Sequence, residues 1–305
     1  MKICSQFSSI WSQPIYPKDC SKIMIMVAKK VKAVYLDFKT SFLHSLTITL
    51  RRDRFILMAI ISVLPVMIPI FVALFSKTLF RENGLEIFVK LCEQVYIHTV
   101  APLLALFLGL IGIREEVDSL TIIYLLTRPV SKFAWVMGRF VAYFLVSAFL
   151  MIMGIFFTFT SCVILGSLHF DTIGIALMLQ YIGVGLAGLI AYGSISFALG
   201  SGMNHPIIAG VILFFGWEKL ANYVPGIADF WTVQKYLDSM FPVLATQRYN
   251  RAVISVLGSF QKELYFVSTQ RAIITIAVVM ITFLALSVLC MRYREFTKDR
   301  VVGSK

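Results

Sequence analysis

Chemistry in this chain would have to come from few residues. Three acids, Glu115, Glu116 and Asp118, crowd into four positions, and Glu218 and Lys219 stand side by side inside an apolar run. The four histidines, His44, His98, His169 and His205, are scattered, and no HExxH or CxxC spacing offers a metal ligand set. The five cysteines (Cys4, Cys20, Cys92, Cys162 and Cys290) have neither paired nor ligand spacing, which argues against a disulfide framework. There is no Walker A or GxGxxG phosphate loop, so the chain should not hold ATP by itself. Serines and threonines in the apolar segments lack a base partner at a readable spacing, and the thirteen methionines are dispersed. No catalytic, cofactor-binding or metal-binding set is predicted.

What remains is the stretch 115–132, "EEVDSLTIIYLLTRPVSK". Its acids lie where the positive end of a helix dipole favours negative charge. Val117, Leu120, Ile123, Tyr124 and Leu126 then share a face or its margins at helical spacing. Arg128-Pro129 stops the helix before Lys132, because proline disfavours helical backbone in the residue that precedes it. The segment reads as a short, capped, amphipathic helix. Such a helix can lie on lipid or plug into a protein groove, and composition leaves both open.

The elements around it are membrane spans. The chain is 59 % hydrophobic and 14 % charged, with mean hydropathy +0.84 over 305 residues. A soluble domain of that size carries about a quarter charged residues and could not hide this much apolar surface. Apolar stretches near the ~20 residues that cross a hydrocarbon core occur at 55–75, 95–113, 133–165, 173–199, 206–224 and 272–291. The expected fold class is all-α, a polytopic membrane protein with six transmembrane helices. Pro65 and Pro69 should kink the first span. Residues 1–30 read as a weakly ordered cytoplasmic leader, 31–300 as one transmembrane domain and 292–305 as a basic tail.

The net charge of +12 would suggest nucleic acid in a soluble protein, but here the basic residues flank apolar runs and read as topology signals. Residues 1–54 hold ten Lys and Arg, 114–139 four and the tail after Cys290 five, nineteen against nine on the other side. Both termini and 115–132 are therefore expected in the cytoplasm. Residues 34–50 place Val34, Phe38, Phe42 and Leu46 one turn apart, with Leu43 and Leu50 widening the stripe. That predicts an N-terminal amphipathic helix on the inner leaflet. Gly183, Ala187 and Ala191 give the fourth span a small-residue face for close helix packing.

The stretch 115–140 resembles the signature between spans two and three of ABC-2-type transporter permeases. Glu116, Thr121, Leu125, Leu126, Arg128, Pro129, Ser131, Lys132 and Gly138 match that pattern. Leu120 stands where glycine is usual, and Arg139 where lysine is. The resemblance implies that Glu115, Glu116, Asp118, Leu120, Thr121, Tyr124, Leu125, Leu126, Arg128, Pro129, Ser131 and Lys132 form a coupling helix that docks on a separate ABC ATPase subunit. It further implies a plasma- or inner-membrane exporter working as a permease homodimer or heterodimer, without nucleic acid. ATP and Mg would be bound by the partner, and this chain would hold no cofactor and would not be an enzyme. A membrane-embedded enzyme and a passive channel or scaffold without an ATPase are the rival readings.

Glu218 and Lys219 raise a separate question. At ~1.5 Å per residue from Pro206, Glu218 lies about 18 Å along the fifth span. A charge near the bilayer centre costs roughly 2.5–3.5 kcal/mol on insertion scales. Either the span ends near Trp217 as an interfacial anchor or a re-entrant segment begins there, or the pair lines the outer part of a transport route.

Overall fold

The computed structural model describes residues 19–50, 52–75, 85–110, 131–165, 171–223, 230–241, 253–255, 258–260 and 267–293. In chain order these form α1 (Asp19–Thr49), α2 (Phe55–Phe75), α3 (Leu85–Leu110), α4 (Lys132–Ile164), α5 (Thr172–Gly202), α6 (206–223), α7 (Val233–Asp238), a short hairpin and α8 (Thr269–Tyr293). In the hairpin, β1 (Val253–Ser255) pairs antiparallel with β2 (Gly258–Phe260), Ile254 opposite Ser259. The architecture is an all-α helical bundle.

Five helices are long and apolar enough to cross a membrane: α2, α3, α4, residues 174–202 of α5, and α8. The expected fifth span, 206–224, is helical over its described residues 206–223, yet Glu218, Lys219 and Asn222 dilute its apolar run and it is not among the five. The α3 helix begins well before the expected 95. The residues that argued against it are accommodated by partners: Lys90 pairs with Glu86 at 2.7 Å, and Glu93 accepts from the Tyr181 hydroxyl at 3.0 Å.

The centre of the bundle is α5, packed on α3, α4, α6, α7 and α8. Of the candidate spans α3 is the most enclosed, whereas α2 and α8 are the least. The contacts are set by hydroxyls meeting backbone. Tyr143 of α4 lies against Gly193 of α5, and its hydroxyl donates to the Leu189 carbonyl at 3.0 Å. A side chain at position 193 would shield that carbonyl, so the glycine opens one turn of helix backbone to a neighbouring helix.

A second junction repairs a kink. At Leu64–Val66, α2 tightens to a 3-10 turn around Pro65, which has no N–H to give the preceding turn. The Tyr96 hydroxyl of α3 lies 3.2 Å from the Ser62 carbonyl, 2.8 Å from the Gly154 carbonyl and 2.7 Å from Thr158 Oγ1. Ser62 in turn donates to the Leu150 carbonyl at 2.7 Å. One fully buried tyrosine thus joins α2, α3 and α4 at the bend. A Cβ at Gly154 would stand 2.7 Å from both the Ser62 carbonyl oxygen and Tyr96 Cε1.

Candidate functional site

Of the coupling-helix residues, Ser131 and Lys132 are described. Glu115, Glu116, Asp118, Leu120, Thr121, Tyr124, Leu125, Leu126, Arg128 and Pro129 lie outside the described residues. The C-terminal edge of that segment is held firmly. Ser131 caps α4, its hydroxyl accepting from the Ala134 amide at 3.2 Å, as a serine N-cap does. Its own amide donates to Asp37 Oδ2 of α1 at 3.0 Å.

From there α1 runs beside the opening turns of α4 in the same direction. Ser41 donates to the Trp135 carbonyl at 3.0 Å. At Gly138 an added Cβ would stand 2.9 Å from the Phe38 carbonyl oxygen and 3.1 Å from the Phe42 amide. The motif glycine therefore seats the backbone of α1. The face in contact is built on Asp37, Ser41 and Thr49 with Phe38, Phe42 and Leu46, whereas Val34, Leu43 and Leu50 of the expected stripe stay exposed. At the closest approach, opposite Gly138, the face carries the small Ser41.

The next turn carries Arg139, buried at 3 % exposure with its guanidinium 4.2 Å from the centre of the Trp135 ring. With Ser45, Thr49, Gly109 and Tyr143 it lines a cleft between α1, α3, α4 and α5. Trp135 supplies a cation–π partner for a charge held away from water.

A second polar cluster is built around Glu218. That residue is 5 % exposed, and its carboxylate accepts from the Tyr192 hydroxyl of α5 at 2.7 Å. It accepts as well from the backbone amide of Val233, the first residue of α7. Lys219, half-buried, and Asp238 act on its charge with opposite signs. The carboxylate faces the interior of the subunit and anchors the start of α7. The helix does not stop at Trp217: α6 continues through Glu218 to Tyr223.

His98 holds α7 along its length, through Gln234 near the start and Asp238 at the end. It lies on α3 at 5 % exposure. Gln234 Nε2 donates to its Nδ1 at 2.8 Å, which makes the ring the Nε2–H tautomer, and Nε2 donates to Asp238 Oδ1 at 2.7 Å. Between these anchors Leu237 drops against Gly188, halfway along α5, with Ala101 of α3 beside it. Phe241, just beyond α7, packs on the rings of His98 and Tyr181. Each buried donor left unpaired here would cost about 1–3 kcal/mol, so this polar set holds only if α7 is docked.

Local pattern could not bring His98 to Gln234 and Asp238, which lie far along the chain. A histidine inside an apolar span was nevertheless a signal in itself, since ionisable residues there have a reason to be present. Two of the helices that bond to α7 carry π-helical stretches, Leu91–Val100 in α3 and Ile212–Trp217 in α6. Such widened turns are frequent at functional sites. Among the described residues no group of three or more His, Cys, Asp or Glu could hold a metal ion.

Residues 48–217 match the family model described as ABC-2 family transporter protein, which is more than half of the 305 residues. No curated protein and no solved structure gives a match. The matched region runs from the end of α1 to the π-helical stretch of α6, and the segment 115–132 with its clamp at Ser131 and Gly138 falls inside it. This chain belongs to the ABC-2 family of transporter proteins, as a multi-pass membrane component of an ABC transporter.

Proposed function

We propose that the chain is the route-forming permease of an ATP-driven exporter, that a separate ATPase docks on the helix at 115–132, and that two permeases meet to complete the route. The observation that carries this reading is the seat of the motif. The family match spans 115–132, and the chain leaving that segment is capped by Ser131 and tied to α1 through Asp37. A push on the docked helix would therefore reach α4 and α1 together.

The test is a charge on the docking face. Leu125→Asp would bury an unpaired ion in the ATPase groove, costing a few kcal/mol, while the spans stay unchanged. Capture of the ATPase with the tagged permease is expected to fall at least about tenfold. Undiminished capture with normal transport-linked hydrolysis would return the helix to the lipid surface.

Orientation in the plasma or inner membrane follows from the basic residues, nineteen on the side of the termini against nine. Single cysteines at Ser119 and Ser259 are expected to label from opposite faces, Ser119 from the cytoplasm. Labelling of both from one face would overturn a topology with six crossings.

A further inference from the structure

We infer that the side of α3 carrying Glu86, Lys90 and Gln94 borders a water-filled part of the transport route, in the half of the membrane remote from 115–132, and admits polar solutes there. Its place in a route rests on the transport reading; its wetness rests on geometry.

The three side chains follow one another at four-residue spacing, which puts them on one side of the helix. Lys90 pairs with Glu86 at 2.7 Å and is nonetheless 67 % exposed. Gln94 is exposed as well. One turn further along stands His98, bonded to Gln234 and Asp238, so the polar side of α3 leads into the cluster around α7. Phe88, Val89, Leu91 and Cys92 of the same stretch are buried in the core.

A cluster of rings fixes the height of these residues. Phe88 of α3 meets Phe159 of α4 and Tyr181 of α5, at centroid distances of 5.6 and 6.3 Å. At ~1.5 Å per residue, Glu86 lies about 3 Å beyond the rings toward the start of α3, and Lys90 and Gln94 lie on their inner side. Ile164 at the end of α4 and Ile175 near the start of α5 stand farther out, about 7 and 9 Å beyond the rings. Both are exposed, Ile164 at 78 %, as is Leu179 between Ile175 and the rings. Large apolar side chains turned outward on two spans belong in hydrocarbon. The apolar layer therefore reaches past all three polar residues.

Lipid is a costly neighbour for a charge or an amide at that height. Lys90 could stretch outward along its stem, but Gln94 is short and stands about 15 Å inward of Ile164. A dry contact with a second copy would desolvate the ion pair, which its own attraction repays only in part. Water is the neighbour that remains.

The test uses single cysteines in a chain lacking Cys4, Cys20 and Cys290, with the buried Cys92 and Cys162 left in place. Reaction with a small, charged, membrane-impermeant methanethiosulfonate, standing in for a polar solute, is followed in sealed vesicles of each orientation. Lys90→Cys and Gln94→Cys are expected to react from one side, at least about tenfold faster than Ile164→Cys and Leu179→Cys, because a charged reagent does not enter hydrocarbon. Gln94→Cys decides alone where Lys90→Cys, which breaks the pair with Glu86, is poorly made. Slow reaction at both polar positions would mean that lipid or a second copy covers the face, and would overturn the inference. Fast reaction at all four would overturn it too, since that end of the bundle would then stand wholly in water. This contrast needs no ATPase, so it is read separately from the transport reading. With an ATPase docked, ATP and vanadate, which arrest its cycle, are expected to change the rate at Gln94→Cys. An unchanged rate would leave a static wet groove and remove it from the route.

Discussion

Gly193→Ala destabilises the fold by about 2–4 kcal/mol, combining overpacking with the loss of a buried hydrogen bond. The added methyl would meet Tyr143 Cε1 well inside van der Waals distance, with Cζ and the hydroxyl oxygen of the same ring at 2.9 Å. Tyr143 cannot yield easily, since it is buried and packs on Phe140 and Phe197. Retreat would also break its bond to the Leu189 carbonyl. Unfolding in mixed micelles measures the cost. Tyr143→Phe keeps the ring and should not relieve it, whereas Tyr143→Ala in the same chain should recover part of the loss, a coupling that a double-mutant cycle isolates. Additive effects of Gly193→Ala and Tyr143→Ala would mean that the two helices are not in contact there.

Glu218 yields the second large effect, and the two obvious replacements are expected to differ. Alanine strands the Tyr192 hydroxyl and the Val233 amide, each at about 1–3 kcal/mol. Glutamine can accept from Val233 with its carbonyl oxygen and meet the Tyr192 oxygen with its amide, so it leaves fewer groups without a partner than alanine does. It also removes a desolvated charge, and stability should stay within about 1 kcal/mol of the parent. The same unfolding assay reads both. Transport then separates two roles, because a Glu218→Gln chain that folds normally and fails to transport would mark the charge itself as needed in the route. Equal losses for alanine and glutamine would contradict the hydrogen-bonding role.

Continuous apolar runs made much of the bundle legible. Residues 133–165 and 272–291 foretold α4 at Lys132–Ile164 and α8 at Thr269–Tyr293 closely, since a long stretch of apolar side chains has few other places to go. The start of α3 was hidden because Lys90 and Glu93 read as loop residues until Glu86 and Tyr181 are seen beside them. The contact face of α1 was legible in part, since Phe38, Phe42 and Leu46 of the expected stripe lie on it. A search for large apolar residues finds Val34 and Leu50, while the real contact needs Ser41 to be small opposite Gly138. The polar cluster was half legible: Glu218 stood out as a charge in an apolar run, but its partners Tyr192 and Val233 come from other elements. Periodicity describes one helix at a time. Bonds between helices are invisible to it.

The glycine seats also limit how the bundle can move. Were α4 to slide along α5 by one turn, about 5.4 Å, Tyr143 would leave Gly193 and meet Leu189 or Phe197, neither of which can admit a ring. Sliding against α3 would likewise drive the Tyr96 ring off Gly154 toward Leu150 or Thr158. Translation along the helix axes is therefore blocked at two independent points. The helices α3, α4 and α5 are thus expected to move as a unit, by tilting and not by sliding past one another.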